Sequence, residues 1–506
     1  MSEPLHPALD PLDEHNRTLR DHVHPTDWTN PEPADRYHMV VIGAGTAGLV
    51  TAVVAAGLGA RVALVERDLM GGDCLNVGCV PSKGVIGAAR AWHAARSGAA
   101  FGAPVATEEG DFATAMERMR RLRAGISHLD SAARFRDLGV DVFLGKGRFV
   151  DRSTVEVGGA RLRFCKATIA TGARAAAPPI PGLADVDYLT NETVFSLTKL
   201  PESFGIIGAG PIGCELAQSF ARFGSNTTLL DVAPQVLIRE DPDAALIVQD
   251  ALVAEGVALE LGARIQAVEA RGGKKVVRYE TDDGAHEVEV DQLLVAVGRA
   301  PNVEGLELEA AGVEYDKTGV HVDGKLRTSN RRIFAAGDIT PLLKFTHLAD
   351  AHAGIVIRNA FFFGRARHQN LVVPWCTYTS PEIAHVGLYE KDLVAEGKKP
   401  QLITVPMAEV DRAVLDGQDA GFLRLVLEAG SDRIVGATLV AEHAGDMIGE
   451  AAVAITHRIP IGKIGATIHP YPTQGEVYRK AANVWVKGRL TPTAKRFLDF
   501  WFRLFR

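Results

Sequence analysis

The sequence predicts an α/β protein with two Rossmann-like dinucleotide-binding domains and a separate C-terminal α+β domain. An apolar run, a GxGxxG motif and a helical pattern occur in this order twice, as VVIGAGTAGLV at 40–50 and GIIGAGPIGCEL at 205–216. After about residue 371, long β-rich segments such as GFLRLVLEAG precede helical stretches around 443–458 and 474–487. The repeat therefore predicts two βαβ units, and the change of pattern predicts a further unit after them.

Each glycine motif is followed by an acidic residue at the spacing of a dinucleotide-binding unit. Glu66 lies 23 residues after Gly43, and Asp231 lies 23 residues after Gly208. In such a unit the first glycine allows a tight turn, the second lets the backbone approach a pyrophosphate, and the third lets helix pack on strand. The acid binds ribose hydroxyls. The candidate residues are Gly43, Gly45, Gly48 and Glu66 in the first copy, and Gly208, Gly210, Gly213 and Asp231 in the second. Two dinucleotides make hydride transfer between a nicotinamide and a flavin the simplest chemistry.

Residues 39–60 carry no charge and are long enough to span a bilayer. Five glycines in this stretch argue against a spanning helix, because glycine weakens helices. A short buried strand, a glycine turn and a helix account for each part of it. We therefore expect no membrane span here.

The charge and cysteine content exclude several classes of protein. A formal net charge of −7 gives no general attraction for nucleic acid or anionic lipid. Five cysteines in 506 residues do not indicate a secreted disulfide framework, so a reducing compartment and a cytoplasmic location are expected. No cysteine or histidine spacing completes a zinc site, and no structural metal is predicted. Cys165, Cys214 and Cys376 stand alone and are expected to be unreactive.

The segment GGDCLNVGCVPSK at 71–83 carries the clearest signal of chemistry, because it places Cys74 and Cys79 five residues apart in a cysteine-poor chain. A disulfide needs Cα atoms within about 7 Å, so the intervening LNVG must fold back, which its asparagine and glycine favour. Pro81 suits the first turn of a helix beginning near Cys79, and that helix start together with Lys83 would stabilise a thiolate. We interpret the pair as redox-active; the alternatives are half of a metal site or two inert thiols.

Three further patterns read as strands that end in glycine turns: ATIATGA at 167–173, LLVAVGRAPN at 293–302 and RRIFAAGDIT at 331–340. Together with CLNVGCVPSK and the two glycine motifs, in this order, they resemble the pyridine nucleotide–disulfide oxidoreductases. That family includes glutathione reductase, dihydrolipoamide dehydrogenase and mercuric reductase. The resemblance covers roughly residues 38–485.

This resemblance implies FAD and NADH or NADPH as cofactors and a homodimer in which the C-terminal domain completes the partner's active site. It implies an FAD-binding domain at 38–190 and 301–370, an NAD(P)-binding domain at 191–300 and a dimerisation domain at 371–485. Outside the resemblance, the residues themselves predict a polar N-terminal arm at 1–37 and an amphipathic tail at 486–506.

The resemblance also implies roles for individual residues. Cys74 resembles the interchange thiol that meets substrate, and Cys79 resembles the thiol that contacts flavin. Lys83 and Glu215 resemble the ion pair beside the flavin ring, where a lysine would stabilise negative charge on reduced flavin. The remaining implied cofactor-binding residues are Thr171, Gly172 and Asp338 for FAD, with Asp338 at the ribityl chain, and Gly298 for the nicotinamide nucleotide.

The sequence departs from the disulfide reductases of this family at HPYPTQGE, residues 469–476. Aligning PTQGE with the family's PTxxE puts Tyr471 at the position of the catalytic histidine and keeps Glu476 as the orienting acid. A tyrosine, with a pKa near 10, is a poor base at neutral pH. Mercuric reductases also have tyrosine there, although they deliver metal through a C-terminal cysteine pair and this sequence has no cysteine after Cys376. A backbone shift of one turn would instead bring His469 to the thiol.

Two features bear on cofactor choice and on partners. Asp231 favours NADH because a carboxylate repels a 2′-phosphate, whereas Arg239 would offset that repulsion and admit NADPH.

The segment TPTAKRFLDFWFRLFR at 491–506 is amphipathic and basic. Docking on the protein body or on the dimer mate is the favoured interpretation of this tail, and attachment to a membrane surface is the alternative.

The sequence therefore predicts a homodimeric flavoenzyme of the mercuric reductase branch that cycles Cys74 and Cys79 between disulfide and dithiol. Its substrate would be a small thiol-reactive molecule, namely a thiol-bound metal ion such as Hg(II), which Cys74 and Cys79 would contact transiently. One alternative is a disulfide reductase of the lipoamide or low-molecular-weight thiol type, with His469 essential. The other is a flavin-binding redox sensor with little turnover.

Overall fold

The computed structural model describes residues 9–107 and 110–505. These residues form two compact units, one containing residues up to 232 together with 256–370, and the other containing 233–255 and the chain from 371 onward. The predicted α/β fold with two dinucleotide-binding sheets and a C-terminal α+β domain is confirmed.

The helices are, in chain order, α1 Glu14–Val23, α2 Thr46–Gly57, α3 Gly72–Asn76, α4 Cys79–Ser97, α5 Phe112–Ser127, α6 Ala132–Asp137, α7 Pro211–Phe223, α8 Pro242–Ala254, α9 Leu308–Ala311, α10 Thr346–Phe361, α11 Glu390–Ala395, α12 Asp411–Leu415, α13 Ala444–His457, α14 Ile461–Ala466, α15 Val477–Gly488 and α16 Pro492–Arg503.

The strands are β1 Tyr37–Ile42, β2 Val62–Glu66, β3 Val140–Leu144, β4 Gly147–Asp151, β5 Thr154–Val157, β6 Ala160–Ile169, β7 Ala173–Ala175, β8 Ser203–Ile207, β9 Asn226–Asp231, β10 Ala258–Leu261, β11 Arg264–Arg271, β12 Lys274–Thr281, β13 Gly284–Val290, β14 Gln292–Val295, β15 Arg299–Pro301, β16 Tyr315–Asp316, β17 Gly319–Val320, β18 Ile333–Ala335, β19 Pro374–Thr377, β20 Glu382–Gly387, β21 Gln401–Pro406, β22 Phe422–Leu427 and β23 Ile434–Ala441.

The first glycine motif joins the centre of the larger sheet to a helix. Strands β3, β2, β1, β6 and β18 pair in parallel, and β5 and β4 extend the sheet beyond β6 in antiparallel fashion. Every residue of β2 is buried, as expected for a parallel strand covered on both faces. The uncharged stretch at 39–60 is thus strand β1, a glycine turn and helix α2. No helix among the described residues is long and apolar enough to cross a membrane.

The second glycine motif joins β8 to α7 in a smaller sheet. Its order is β10-β9-β8-β14 with all pairs parallel, and the antiparallel sheet β11-β12-β13 lies between β10 and β14 in the chain. The two motifs therefore occupy equivalent positions, each at the carboxyl end of a central parallel strand, where open α/β sheets bind ligands.

The second unit is built on a five-stranded antiparallel sheet of order β19-β20-β23-β22-β21. Its core combines the inner faces of β20, β22 and β23 with apolar residues of α13 and α15. Helices α13 and α15 correspond to the helical stretches predicted around 443–458 and 474–487.

The N-terminal segment, residues 9–36, packs on the first unit. Helix α1 buries Leu19 and Val23 completely and lies against α5. Beyond the helix, the Asn30 side chain donates to the carbonyl of Leu144 and accepts from its N–H, at 3.0 and 2.8 Å. The Trp28 indole donates to the carbonyl of Val142. The expectation of a polar arm did not include this helix or this pairing, and residues 1–8 lie outside the described part.

The C-terminal helix α16 contrasts with that segment, because none of its residues is buried. The predicted amphipathic helix is present. Phe497 is 62% exposed and Trp501 is 46% exposed, and docking of this helix on the protein body or on the dimer mate stays a prediction.

Candidate active site

The two cysteines lie on consecutive helices of the first unit. Cys74 is in α3 and Cys79 is the first residue of α4, and both are free thiols. The residues between them partly continue α3, so the turn is shorter than the sequence suggested and Asn76 is helical rather than a turn former. At the remaining turn, a Cβ on Gly78 would approach the carbonyl oxygen of Asp73 to 2.8 Å, which excludes larger residues.

The environment separates the two thiols chemically. A hydrogen bond from the Cys74 thiol, together with a contact to Thr346 and the positive charge of Lys83, lowers the pKa of Cys79 to about 6, although desolvation of the sulfur opposes this shift. The Thr346 hydroxyl lies 3.4 Å from the Cys79 sulfur. The same hydrogen bond, followed by burial, raises the pKa of Cys74. The pair is therefore arranged with its thiolate on Cys79 and its proton on Cys74.

Lys83 lies one turn beyond Cys79 in α4 and meets Glu215 of helix α7. Its Nζ is 3.0 Å from Oε2 of Glu215, whose side chain is only 6% exposed. A buried carboxylate needs such a partner, because leaving it unpaired is costly. The pair that the resemblance implied is thus brought together, and it places a cation beside the dithiol.

The first glycine motif has the geometry that a dinucleotide requires. Gly43 has φ +99° and a Cβ there would lie 2.4 Å from the carbonyl oxygen of Ala170, while a Cβ on Gly48 would lie 1.8 Å from the carbonyl oxygen of Gly43. A Cβ on Gly45 would meet only Gly72, at 3.7 Å. The outer glycines are therefore fixed by protein backbone, and the middle one leaves room for a ligand to approach.

Glu66 closes this first motif at the end of β2. Its carboxylate accepts from the N–H of Ala44 at 2.6 Å and from the N–H of Asp68 at 2.8 Å, and burial raises its pKa. Two carboxylate oxygens offer about four acceptor sites, so this residue can still bind ribose hydroxyls. These residues fit the adenosine and pyrophosphate parts of FAD.

The second motif repeats this arrangement. Gly208 has φ +111°, a Cβ on Gly213 would lie 1.8 Å from the Gly208 carbonyl oxygen, and a Cβ on Gly210 would meet no atom of the described residues within 4 Å. Asp231 accepts from the N–H of Ala209 at 2.6 Å. The second site therefore has the same fixed outer glycines, open middle glycine and terminal acid.

Arg299 connects the turns after three strands, and sequence reasoning gave it no role. Its Nη2 donates to the carbonyl of Ala173 at 2.6 Å and also contacts the carboxylate of Asp73 beside the dithiol. Its Nε lies 3.6 Å from the carboxylate of Asp338, whose pKa burial raises. The signal was its position directly after Gly298 in a conspicuous motif.

The turns after β6 and after β15 are also joined. The Thr171 hydroxyl donates to the carbonyl of Asn302 at 2.9 Å, and the Asn302 amide donates to the carbonyl of Thr171 at the same distance. Gly172 and Gly298 both have positive φ. The candidate FAD residues Thr171, Gly172 and Asp338 thus lie around one set of turns in the first unit.

The C-terminal candidates belong to the second unit and do not form the expected tyrosine–glutamate pair. Tyr471 is 68% exposed, and its hydroxyl donates to Asp411 at 3.0 Å, which raises the pKa of Tyr471. Glu476 is buried and contacts Arg479, while its Oε2 accepts no hydrogen bond within the described chain.

His469 has its own carboxylate partner. Its Nε2 lies 3.0 Å from Oε1 of Glu450, and its Nδ1 lies 3.1 Å from the carbonyl of Thr467. A histidine oriented by a carboxylate is the usual arrangement of a general base. No two of Tyr471, His469 and Glu476 are directly bonded to each other in the described contacts.

The N-terminal segment reaches the dithiol loop through a buried arginine. Arg123 of α5 is fully buried; its Nη1 donates to the carbonyl of Asn76 at 2.6 Å, and its Nη2 donates to the side-chain oxygen of Asn16 at 2.7 Å. Burial lowers the pKa of Arg123 to about 10, so it stays charged at neutral pH. Helix α1 therefore supplies one acceptor for the cation that holds the backbone between the two cysteines.

Comparison with known proteins identifies the family. Residues 37–353 match the family described as pyridine nucleotide-disulphide oxidoreductase, and residues 373–482 match its dimerisation domain. The chain belongs to this family. As a pyridine nucleotide-disulphide oxidoreductase, it is a flavoprotein that uses FAD and NAD(P)H.

Individual relatives of this oxidoreductase act on different substrates. It is 37% identical over 449 residues to mercuric reductase from Bacillus cereus, covering 88% of this chain and 71% of that protein. It is 33% identical over 455 residues to dihydrolipoyl dehydrogenase from Geobacillus stearothermophilus, covering 88% and 95%. The Cu(II) complex of the HOCl-induced flavoprotein disulfide reductase RclA from Escherichia coli superposes with a TM-score of 0.78 at 28% identity, covering 87% and 98%.

Proposed function

We propose that this oxidoreductase is a homodimer that uses NAD(P)H to reduce a thiol-bound metal ion such as Hg(II) through Cys74 and Cys79. The observation that carries the proposal is the dithiol, in which Cys79 is a stabilised thiolate. The sequence agrees with it, because Tyr471 occupies the position at which the disulfide reductases of the family have their catalytic histidine. Several relatives at 34–37% identity are mercuric reductases, and the RclA structure is a Cu(II) complex.

The residues suit a soft metal substrate. Thiolates are the preferred ligands of soft metal ions, so both cysteines can displace the thiols that carry the ion. FAD supplies the transfer of two electrons from the nicotinamide nucleotide. The net reaction converts Hg(II) bound by two thiolates, NAD(P)H and a proton into Hg(0), NAD(P)+ and two free thiols. The two protons on the released thiols come from NAD(P)H and solvent, so a protein base is not required at sulfur.

The chain's own residues have distinct tasks in this proposal. Lys83, held by Glu215, places positive charge near the Cys79 thiolate and would stabilise negative charge on reduced flavin. Thr346 donates to that thiolate. Glu66 and Asp231 bind the ribose hydroxyls of FAD and of the nicotinamide nucleotide respectively, and Asp231 favours NADH over NADPH.

A second candidate function is disulfide reduction, which the His469–Glu450 pair favours. In that reaction a base must take and return a proton at the interchange thiol. A histidine with a carboxylate partner can do so, whereas Tyr471 has a raised pKa. The dihydrolipoyl dehydrogenase relative is consistent with this function.

The deciding experiment measures NADH- and NADPH-dependent turnover with Hg(II) in excess thiol, Cu(II), lipoamide and glutathione disulfide. Cys74→Ser is the test variant and Cys165→Ser, outside the dithiol, is the matched control. The proposal is supported if the enzyme turns over with metal ions, if this turnover requires Cys74, and if the disulfides give no turnover. Turnover with disulfides alone, lost in His469→Gln but kept in Tyr471→Phe, selects the second function.

The thiolate assignment has a separate test that needs no substrate. We expect iodoacetamide to alkylate the dithiol form at Cys79, with a rate that follows a titration midpoint near pH 6. Lys83→Met and Thr346→Val each remove a stabilising contact and should move the midpoint to higher pH. A midpoint near pH 8.5 in the unaltered protein would contradict the assignment.

A further inference from the structure

Helix α16 presents a broad apolar face that the described chain does not cover. Phe497, Phe500 and Trp501 are 62%, 61% and 46% exposed. The Trp501 ring also contacts its neighbours one turn away, with centroids 6.5 Å from Phe497 and 5.2 Å from Phe505. The aromatic side chains thus form a continuous surface rather than scattered exposed residues.

The remaining face of the helix is cationic. At about 100° per residue, the large apolar side chains occupy about 200° of the helix circumference. Lys495, Arg496 and Arg503 lie on the rest, where Asp499 is the only acid in 486–506. That segment contains six basic residues, whereas the whole chain has a net charge of −7. A strongly basic, aromatic helix is therefore part of a chain that is acidic as a whole.

The family's dimerisation domain does not account for this face. Its match ends at residue 482, ten residues before α16 begins at Pro492. Helices that pack on protein usually bury a narrower stripe and carry charges of both signs on the outside. An apolar arc wider than half the helix, with tryptophan and phenylalanine on it and lysine and arginine at its borders, is typical of helices that lie in a membrane interface.

We infer that α16 is an interfacial helix that attaches the protein reversibly to membrane surfaces rich in anionic phospholipid. The aromatic face enters the boundary between headgroups and acyl chains, and the basic side chains meet lipid phosphates. A single helix of this kind gives reversible rather than permanent attachment. This inference does not depend on the substrate of the dithiol.

Co-sedimentation of the purified full-length flavoprotein with vesicles tests the inference. We expect binding to vesicles of phosphatidylcholine with phosphatidylglycerol, no binding to phosphatidylcholine alone, and release at high salt. Each cation should contribute about fivefold to the partition coefficient between vesicles and water. Replacing Lys495, Arg496 and Arg503 by glutamine should therefore lower this coefficient about 100-fold. Phe497→Ser with Trp501→Ser should abolish binding, whereas the control Phe363→Ser, at a fully exposed aromatic residue outside α16, should not change it.

Three outcomes overturn the inference. They are no binding to anionic vesicles, equal binding to neutral vesicles, and equal loss of binding in Phe363→Ser. Sedimentation velocity of Phe497→Ser with Trp501→Ser supplies the remaining distinction. If this variant changes from dimer to monomer without vesicles present, the apolar face covers a second copy of the chain and the membrane assignment is wrong.

Discussion

The two ends of this chain lie outside the family match, yet they behave in opposite ways. The N-terminal segment buries Leu19 and Val23, and its Asn16 side-chain oxygen accepts a buried hydrogen bond from Arg123. The C-terminal helix has a larger aromatic content, but all of it is exposed. Apolar content alone therefore does not decide whether an added segment joins the core. The two ends differ in their hydrogen bonds. The N-terminal segment accepts a hydrogen bond from a buried arginine of the first unit, whereas no residue of helix α16 is buried.

This difference separates two uses of an extension. A segment whose polar atoms complete buried groups of the body must be present for the body to be stable. A segment that only displays an apolar face has its function outside the chain. The first should respond to mutation through stability, and the second should respond through binding while stability stays the same.

The largest expected effect is on packing. Leu19→Ala should lower the free energy of unfolding of the first unit by about 2–5 kcal/mol, because Leu19 is fully buried between α1 and the body. Phe497→Ala should change it by less than about 0.5 kcal/mol. Urea denaturation followed by tryptophan fluorescence measures both. Equal losses in the two variants would remove the distinction between the ends.

A smaller effect is expected from the polar link. Asn16→Ala leaves one donor of the buried Arg123 without its acceptor, which should cost about 1–3 kcal/mol. Thr18→Ala, an exposed position on the same helix, is the control and should be nearly neutral. The same denaturation measurement applies. A neutral Asn16→Ala would mean that the N-terminal helix is held by apolar packing alone.

The smallest expected effect is on the pH dependence of stability. Although burial opposes it, hydrogen bonds from the N–H of Asn16 and from Arg120 lower the pKa of Asp13. The stability from this carboxylate is therefore present above the unfolded pKa of about 3.9 and is lost as pH falls through the lower folded value. Asp13→Asn keeps the helix cap but should cost on the order of 0.5–1 kcal/mol at pH 7 and show a flatter pH dependence below pH 4.

Melting temperatures between pH 3 and pH 7 measure this last difference. Asp21→Asn, at an exposed position of the same helix, is the matched control. If both variants show the same pH dependence, Asp13 has no special part in holding the N-terminal helix.

The sequence predicted what is encoded locally. The predicted features that were found depend on residues close together in the chain. They are the two glycine motifs, the acids that follow them, the strands that precede them and the helix beginning at Cys79. Contacts made by tertiary packing could not be predicted in this way. Thr346 reaches Cys79 across 267 residues, and Arg299 reaches Asp73 across 226.

The C-terminal segment shows a second limit. Alignment placed Tyr471 beside Glu476, but side-chain partners depend on backbone direction, and Tyr471 bonds Asp411 from 60 residues earlier. For helix α1, the sequence did contain usable signals. Asp13 before Glu14 is a helix-cap pattern, and Leu19 and Val23 are spaced by four residues on one face.

Asn30 has a consequence for how this protein coexists with its own copies. Strand β3 is the last strand at one side of the larger sheet, where free backbone groups could recruit a strand from another molecule. The Asn30 side chain occupies both the N–H and the carbonyl of Leu144 there, and Trp28 occupies the carbonyl of Val142. The N-terminal segment thus occupies backbone groups at this edge that would otherwise be free to pair with a strand of another copy.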